Sequence, residues 1–126
     1  MIDIQEVIQI HEILIEQYGG TKGVRDKRLL ESAINRPFQT FDGKDLYDSP
    51  IEKSAAIFES LIKNHPFIDG NKRIAYVLLR VILLQYKLDL KADQDEKYRF
   101  VIEVAKGKLS FEQIKLWIHN QIKVID

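Results

Sequence analysis

Residues 74–86, IAYVLLRVILLQY, carry apolar side chains on nearly every side of the helix they would form. A surface helix shows an apolar stripe with polar residues opposite, whereas one that is apolar nearly all round has to be enclosed by other elements. The chain is therefore expected to gather its remaining helices around a segment running from Asn71 to about Lys87. Arg80 and Gln85 interrupt the run, and it is too short to span a bilayer, which takes about 20 predominantly apolar residues. The 126 residues hold material for one core and no second, so residues 1–126 are expected to form a single domain.

The other elements show themselves by their ends. Asp3 followed by Glu6 approximates a capping box, and Ile4, Val7, Ile8, His11, Leu14, Ile15 and Tyr18 recur at helical spacing until Gly19-Gly20. Asp26 can cap a shorter helix with Leu29, Leu30, Ala33 and Ile34 on one face, closed by Pro37. Ser49, Pro50 and Glu52 combine an N-cap, a first-turn proline and a reciprocating acid, which starts a helix reaching about Lys63. Two more amphipathic helices, 93–106 and 110–124, are separated by Gly107. Between the second and third helices, PFQTFDGKDLY alternates apolar and polar residues around Asp42-Gly43, the chemistry of a tight hairpin turn. The expected fold is all-α, about six helices with a short β-hairpin flap before the motif helices. The flap comprises Phe38, Gln39, Thr40, Phe41, Asp42, Gly43 and Lys44 and runs on to Leu46.

Nineteen basic and nineteen acidic residues cancel and are interspersed, which leaves no broad footprint for direct binding to nucleic acid or to a membrane. A local basic pocket is compatible with that balance. Without cysteine there is neither a disulfide nor a thiolate metal site, and the N-terminus lacks the basic start and small-residue cleavage site of a secretory leader. A cytoplasmic location is expected.

Polar chemistry concentrates in HPFIDGNKR, residues 65–73, where the long apolar helix begins. Pro66 steers His65 out of helical geometry, so His65 should stand on a loop. Gly70 permits a close backbone approach, and the amides of about Gly70 to Arg73 are the unpaired donors of a helix N-terminus, a ready site for an anion. Lys72 and Arg73 place cations where the helix dipole disfavours them, which suggests an anion between them. Asp69 can pair with a cation, cap the helix, or hold Mg²⁺ together with phosphate oxygens. Histidine changes charge near neutral pH and can take a proton from a hydroxyl nucleophile. Taken singly each residue is more often structural; their joint spacing supplies a base, a metal ligand, a phosphate cradle and a charge neutraliser, the parts of phosphoryl or nucleotidyl transfer. His11 and His119 are read as structural, and Tyr76 and Trp117 as core. Arg80 is costly unless paired: it pairs within the core, or else reaches the phosphate pocket or a partner's carboxylate.

His-x-Phe-x-Asp-Gly-Asn-Lys-Arg resembles the signature of the Fic/Doc (Fido) superfamily and, more closely, its death-on-curing (Doc) toxin branch. The resemblance runs on through YGG-x-x-Gly-Val-Arg-Asp, the second helix, the flap and KGKLSFEQI, covering nearly the whole chain. It implies that His65 is the catalytic base, Phe67 anchors the loop, and Asp69 binds the metal. Gly70, Asn71 and Lys72 would line an anion hole, with Arg73 on the phosphates. ATP as substrate with Mg²⁺ is implied, and a flap that aligns the target polypeptide by strand addition.

AMP-transferring Fic proteins usually continue Gly-Asn-Gly-Arg-x-x-Arg, whereas this chain has Lys72 and Tyr76 in place of the second glycine and second arginine. Both departures favour Doc, while Pro66 and Gly70 are the more Fic-like features. A lysine would crowd the nucleotide's outer phosphates and favour a reversed pose, with the γ-phosphoryl group toward His65. The resemblance thus implies a toxin that phosphorylates a hydroxyl of a cytoplasmic protein, elongation factor Tu, and arrests translation; the alternatives are AMP transfer or an idle antitoxin-binding module. No Ser or Thr is followed by Glu at the fourth position, so the self-inhibitory device of many Fic proteins is missing, and a separate antitoxin would have to bind in trans.

Overall fold

The structure, a computed structural model, describes residues 2–126. In chain order it comprises α1 (Ile4–Tyr18), α2 (Lys27–Asn35), a single 3-10 turn (Arg36–Phe38), β1 (Thr40–Phe41), β2 (Lys44–Asp45) and α3 (Pro50–Asn64). Then follow α4 (Asn71–Gln85), β3 (Leu88–Leu90), α5 (Gln94–Ala105), α6 (Phe111–Gln121) and β4 (Ile122–Val124). The expected all-α fold with a hairpin flap is what forms. No helix among the described residues is long and apolar enough to cross a membrane.

Asp3, Asp26, Ser49, Asp93 and Ser110 each accept a first-turn amide, starting α1, α2, α3, α5 and α6. In the flap, Asp42 and Gly43 both take positive φ (53° and 76°), the conformation a two-residue hairpin turn demands, and pair Phe41 with Lys44 and Thr40 with Asp45.

The most enclosed helix is α3, not α4. Every residue from Lys53 to Ile62 is buried, with α2, α4, α5, α6 and the 3-10 turn packed around it. Its polar residues disguised that burial in the sequence, and each is answered. The Lys53 Nζ donates to the Tyr47 carbonyl and to Asp45 Oδ2 (3.2 Å), and so fixes the flap to the core. Glu59 accepts from Arg36 (3.0 Å) and pairs with Lys63, and Ser60 accepts from Arg36 (2.9 Å). α4 is buried along one broad face, Ile74, Ala75, Leu78, Leu79, Ile82 and Leu83, against α3, and leaves Arg80 and Leu84 exposed.

Two ends differ from the sequence expectation. α4 stops at Gln85, and Lys87 (φ 60°) turns the chain into β3. α6 stops at Gln121 rather than continuing to Val124, because Ile122–Val124 pairs antiparallel with Leu88–Leu90. Arg80 is paired, but at the surface: its Nε and Nη2 donate to Asp89 of β3 at 2.9 and 2.8 Å.

The hydrogen bonds from Arg80, then that from the Leu90 amide, outweigh burial and hold the Asp89 carboxyl below the usual aspartate range. A depressed folded-state value means that the stabilisation is complete above the ordinary aspartate range, about pH 4, and is lost as pH falls through the lowered value. Because the Arg80 side chain is 46% exposed, Asp89→Asn should cost only about 0.5–1 kcal/mol at neutral pH. Urea denaturation across a pH series should show this gap closing on acidification; a gap independent of pH would mean the pair contributes nothing electrostatic.

Candidate active site

Residues 64–70 leave the core helix α3 and enter α4, and they are clamped by residues 20–26. His65 ends α3 in the left-handed conformation (φ 48°, ψ 55°), which strands the last carbonyls of the helix. Arg25 answers them: its Nε donates to the His65 carbonyl and its Nη2 to that of Asn64, both at 2.7 Å. The amides of Arg25 and Asp26 donate to the Pro66 carbonyl (2.7 and 3.0 Å), the Ile68 amide to Gly23 (3.0 Å), and Val24 bridges Phe67.

Phe67 is 1% exposed and stacks on His11 of α1, with ring centroids 3.8 Å apart and planes 9° from parallel. The Nε2 of His11 lies 2.7 Å from the Asp69 carbonyl. A carbonyl only accepts, so Nε2 carries the proton. Gly70 (φ 75°) is required here: a Cβ would sit 3.2 Å from Ile15 and 3.4 Å from His11. The Asn71 side chain closes the loop, accepting from the Phe67 amide (2.9 Å) and donating to its carbonyl (3.0 Å). Its carboxamide is thus committed to the loop, and only the Asn71 backbone amide is available at the expected anion hole.

α4 starts on Gly70 with no side-chain cap and no acid in its first turn. Among the described residues, the amides of Asn71, Lys72 and Arg73 meet no protein acceptor, and Lys72 and Arg73 meet no carboxylate. Three open donors, the positive end of the helix dipole and two exposed cations converge on one point.

The Asp69 carboxylate does not cap α4 and, among the described residues, pairs with no cation. Oδ1 accepts from the Gly70 amide (2.9 Å) and Oδ2 from the Thr21 amide (3.1 Å). A carboxylate offers about four lone-pair sites, so capacity for a cation remains. No group of three or more metal-ligating side chains occurs among the described residues. This donor set suits Mg²⁺ shared with phosphate oxygens and not a metal caged by protein alone.

The His65 imidazole is exposed. Its Nδ1 lies 3.4 Å from the Lys63 carbonyl; a carbonyl only accepts, so in the neutral ring this contact selects the tautomer with the lone pair on Nε2. The structure thus brings His65, Asp69, Gly70, Asn71, Lys72 and Arg73 into one clamped loop and helix start. The flap residues Phe38 to Lys44 are hydrogen-bonded within their own neighbourhood, the Gln39 amide to the Arg36 carbonyl and the Leu46 amide to that of Gln39, with Thr40 paired to Asp45 and Phe41 to Lys44, and among the described residues none bonds to 65–73; Lys53 of α3 holds the neighbouring Asp45. His119 is exposed on α6, and Trp117 is half-buried, stacked on Phe100 at 3.7 Å. His11 and Arg25 are the residues whose part in the site sequence reasoning missed. A polar residue on the apolar face between Val7 and Ile15 was the available signal for His11, because a buried imidazole needs a partner.

The arrangement is an open helix N-terminus beside a loop histidine and a carboxylate. The Fic/DOC family model matches residues 1–83, which contain the whole motif, and the chain belongs to this family. A Mycolicibacterium smegmatis protein named Toxin Doc is 41% identical over 78 residues, 62% of this chain and 60% of that relative, so the match spans less than two thirds of the relative's length. A protein of Escherichia phage P1 named Protein kinase doc is 26% identical over 113 residues, 90% of this chain and 88% of the relative.

His11→Ala removes both the stack on Phe67 and the bond to Asp69, and should cost about 2–4 kcal/mol in chemical denaturation. A loss under about 0.5 kcal/mol, within the usual range for surface changes, would show that His11 does not lock the loop.

Proposed function

We propose that the protein is a Doc-type toxin that transfers the γ-phosphoryl group of ATP to a hydroxyl of a cytoplasmic protein. The observation that carries this reading is the start of α4: five helices bring their own side-chain caps, while the motif helix leaves three amides open beside Lys72 and Arg73. The names of the two relatives support the same direction.

In this reaction the His65 Nε2 takes the proton of the target hydroxyl. The hydroxyl oxygen bonds to the γ-phosphorus as the bond to the bridging oxygen breaks, and ADP leaves. The amides of Asn71 to Arg73, with Lys72 and Arg73, hold the phosphate charge in place. When bound beside Asp69, Mg²⁺ would add charge neutralisation on the phosphates. By resemblance the target is elongation factor Tu, so translation stops. The flap's exposed edge, with Phe41 75% exposed, would receive the target strand. Restraint is assigned to a separate antitoxin, since the chain has no Ser or Thr followed at the fourth position by Glu.

Incubation with α- and γ-labelled ATP and a translation extract tests the reading. Wild type should transfer only the γ-label; His65→Ala should lose at least about a hundredfold, the usual scale of a general base, and Lys72→Gly should transfer the γ-label more slowly. Transfer of the α-label would make the protein an AMP transferase, and no transfer of either would leave an antitoxin-binding module.

A further inference from the structure

The end of α3 lacks its usual closure. A helix that ends on a left-handed residue normally receives the amide of the following residue back on its last turn. Here His65 is left-handed and the following residue is Pro66, which has no amide to give. The donors come instead from 39 and 40 residues away: the Arg25 Nη2 bonds the Asn64 carbonyl and its Nε that of His65, both at 2.7 Å. Among the described residues no carboxylate pairs with Arg25, and its charge lies at the negative end of the helix dipole. A second set of bonds is independent of that side chain, since the backbone amides of Arg25 and Asp26 hold the Pro66 carbonyl.

We propose that Arg25 is a positioning residue for the transfer step, its fork holding the His65 backbone in the conformation that presents the imidazole beside the open start of α4. The proposal rests on the reading of His65 as the base. The ring is exposed and its one hydrogen-bond contact, to the Lys63 carbonyl, is long at 3.4 Å, so its direction is set by the His65 backbone and not by packing around it. That backbone is in a region costly for a residue with a Cβ, and it needs a restraint at this point. A planar guanidinium spans two successive carbonyls, which the point charge of a lysine does less well. Arg25 thus acts through His65 and touches no reacting atom. Displacing a catalytic group by about 1 Å costs on the order of a hundredfold in rate.

Steady-state transfer of label from ATP and backbone ¹⁵N relaxation of the full chain without substrate test the proposal together. Arg25→Ala should lower kcat between about tenfold and a hundredfold and leave the KM for ATP unchanged, and Arg25→Lys should recover part of the loss. Lys22→Ala, which removes an exposed lysine of the same segment paired with Glu16, should behave as wild type. In Arg25→Ala the order of residues 63–65 should fall while that of 67–71 stays, and the urea midpoint should move little because Arg25 is exposed. An unchanged kcat, or a fall in kcat with 63–65 as ordered as in wild type, would overturn the positioning role. A raised KM for ATP would make Arg25 a substrate contact, and disorder across 67–71 with a lowered midpoint would make it merely structural; either overturns the proposal. Should wild type transfer no label, the phosphotransfer reading fails and relaxation alone decides: loosened 63–65 in Arg25→Ala keeps Arg25 as the clamp on His65, and unchanged 63–65 rejects it.

Discussion

The site depends on the burial of one ring. Phe67 sits in the middle of the loop, next to buried Pro66 and flanked by exposed His65, Ile68 and Asp69, and it is 1% exposed. His11 stacks on it, Asn71 closes on both of its backbone groups, and Val24 bridges it. Burying a phenylalanine is worth about 1.5–3 kcal/mol before those contacts are counted. That scale matches the cost, about 1–3 kcal/mol, of holding His65 in the left-handed region, and the stack on His11 and the Asn71 bonds add to it. The strain at His65 is therefore sustained by packing two residues away, and the imidazole itself remains exposed and unencumbered at Nε2.

The clamp also explains why residues 18–26 accompany the motif. Gly23 accepts from Ile68, Arg25 satisfies the stranded carbonyls of α3, and Thr21 donates to Asp69. Gly20 (φ 116°) has to be glycine, because a Cβ there would stand 2.6 Å from the Asp69 carboxylate. Backbone groups thus orient the acid without neutralising it. Among the described residues the cations Lys72 and Arg73 meet no carboxylate and stand next to open amides, with Arg73 over the Tyr18 ring, so that their positive charge is available to a ligand.

Much of this was legible in local sequence. The caps at Asp3, Asp26, Ser49, Asp93 and Ser110 are short-range signals, and so is the Asp42-Gly43 turn, since each depends on residues within a few positions. The spacing of 65–73 located the open helix start for the same reason. Long-range pairings were not legible: the β3–β4 ribbon joins residues 36 apart at Leu88 and Val124, and a three-residue strand such as Ile122–Val124 reads equally well as the end of a helix. The roles of His11, 58 residues from Asp69, and of Arg25 arise only when the chain closes on itself. The burial of α3 was hidden because Lys53 and Glu59 look like surface residues until their partners are in place.

The most direct measurement is a crystal structure of the protein with Mg²⁺ and AMP-PNP. The terminal phosphate should accept hydrogen bonds from the amides of Asn71, Lys72 and Arg73, with the metal between Asp69 and the phosphate oxygens and the His65 Nε2 facing the terminal phosphorus. An α-phosphate at the start of α4, or a nucleotide bound away from it, would contradict the account.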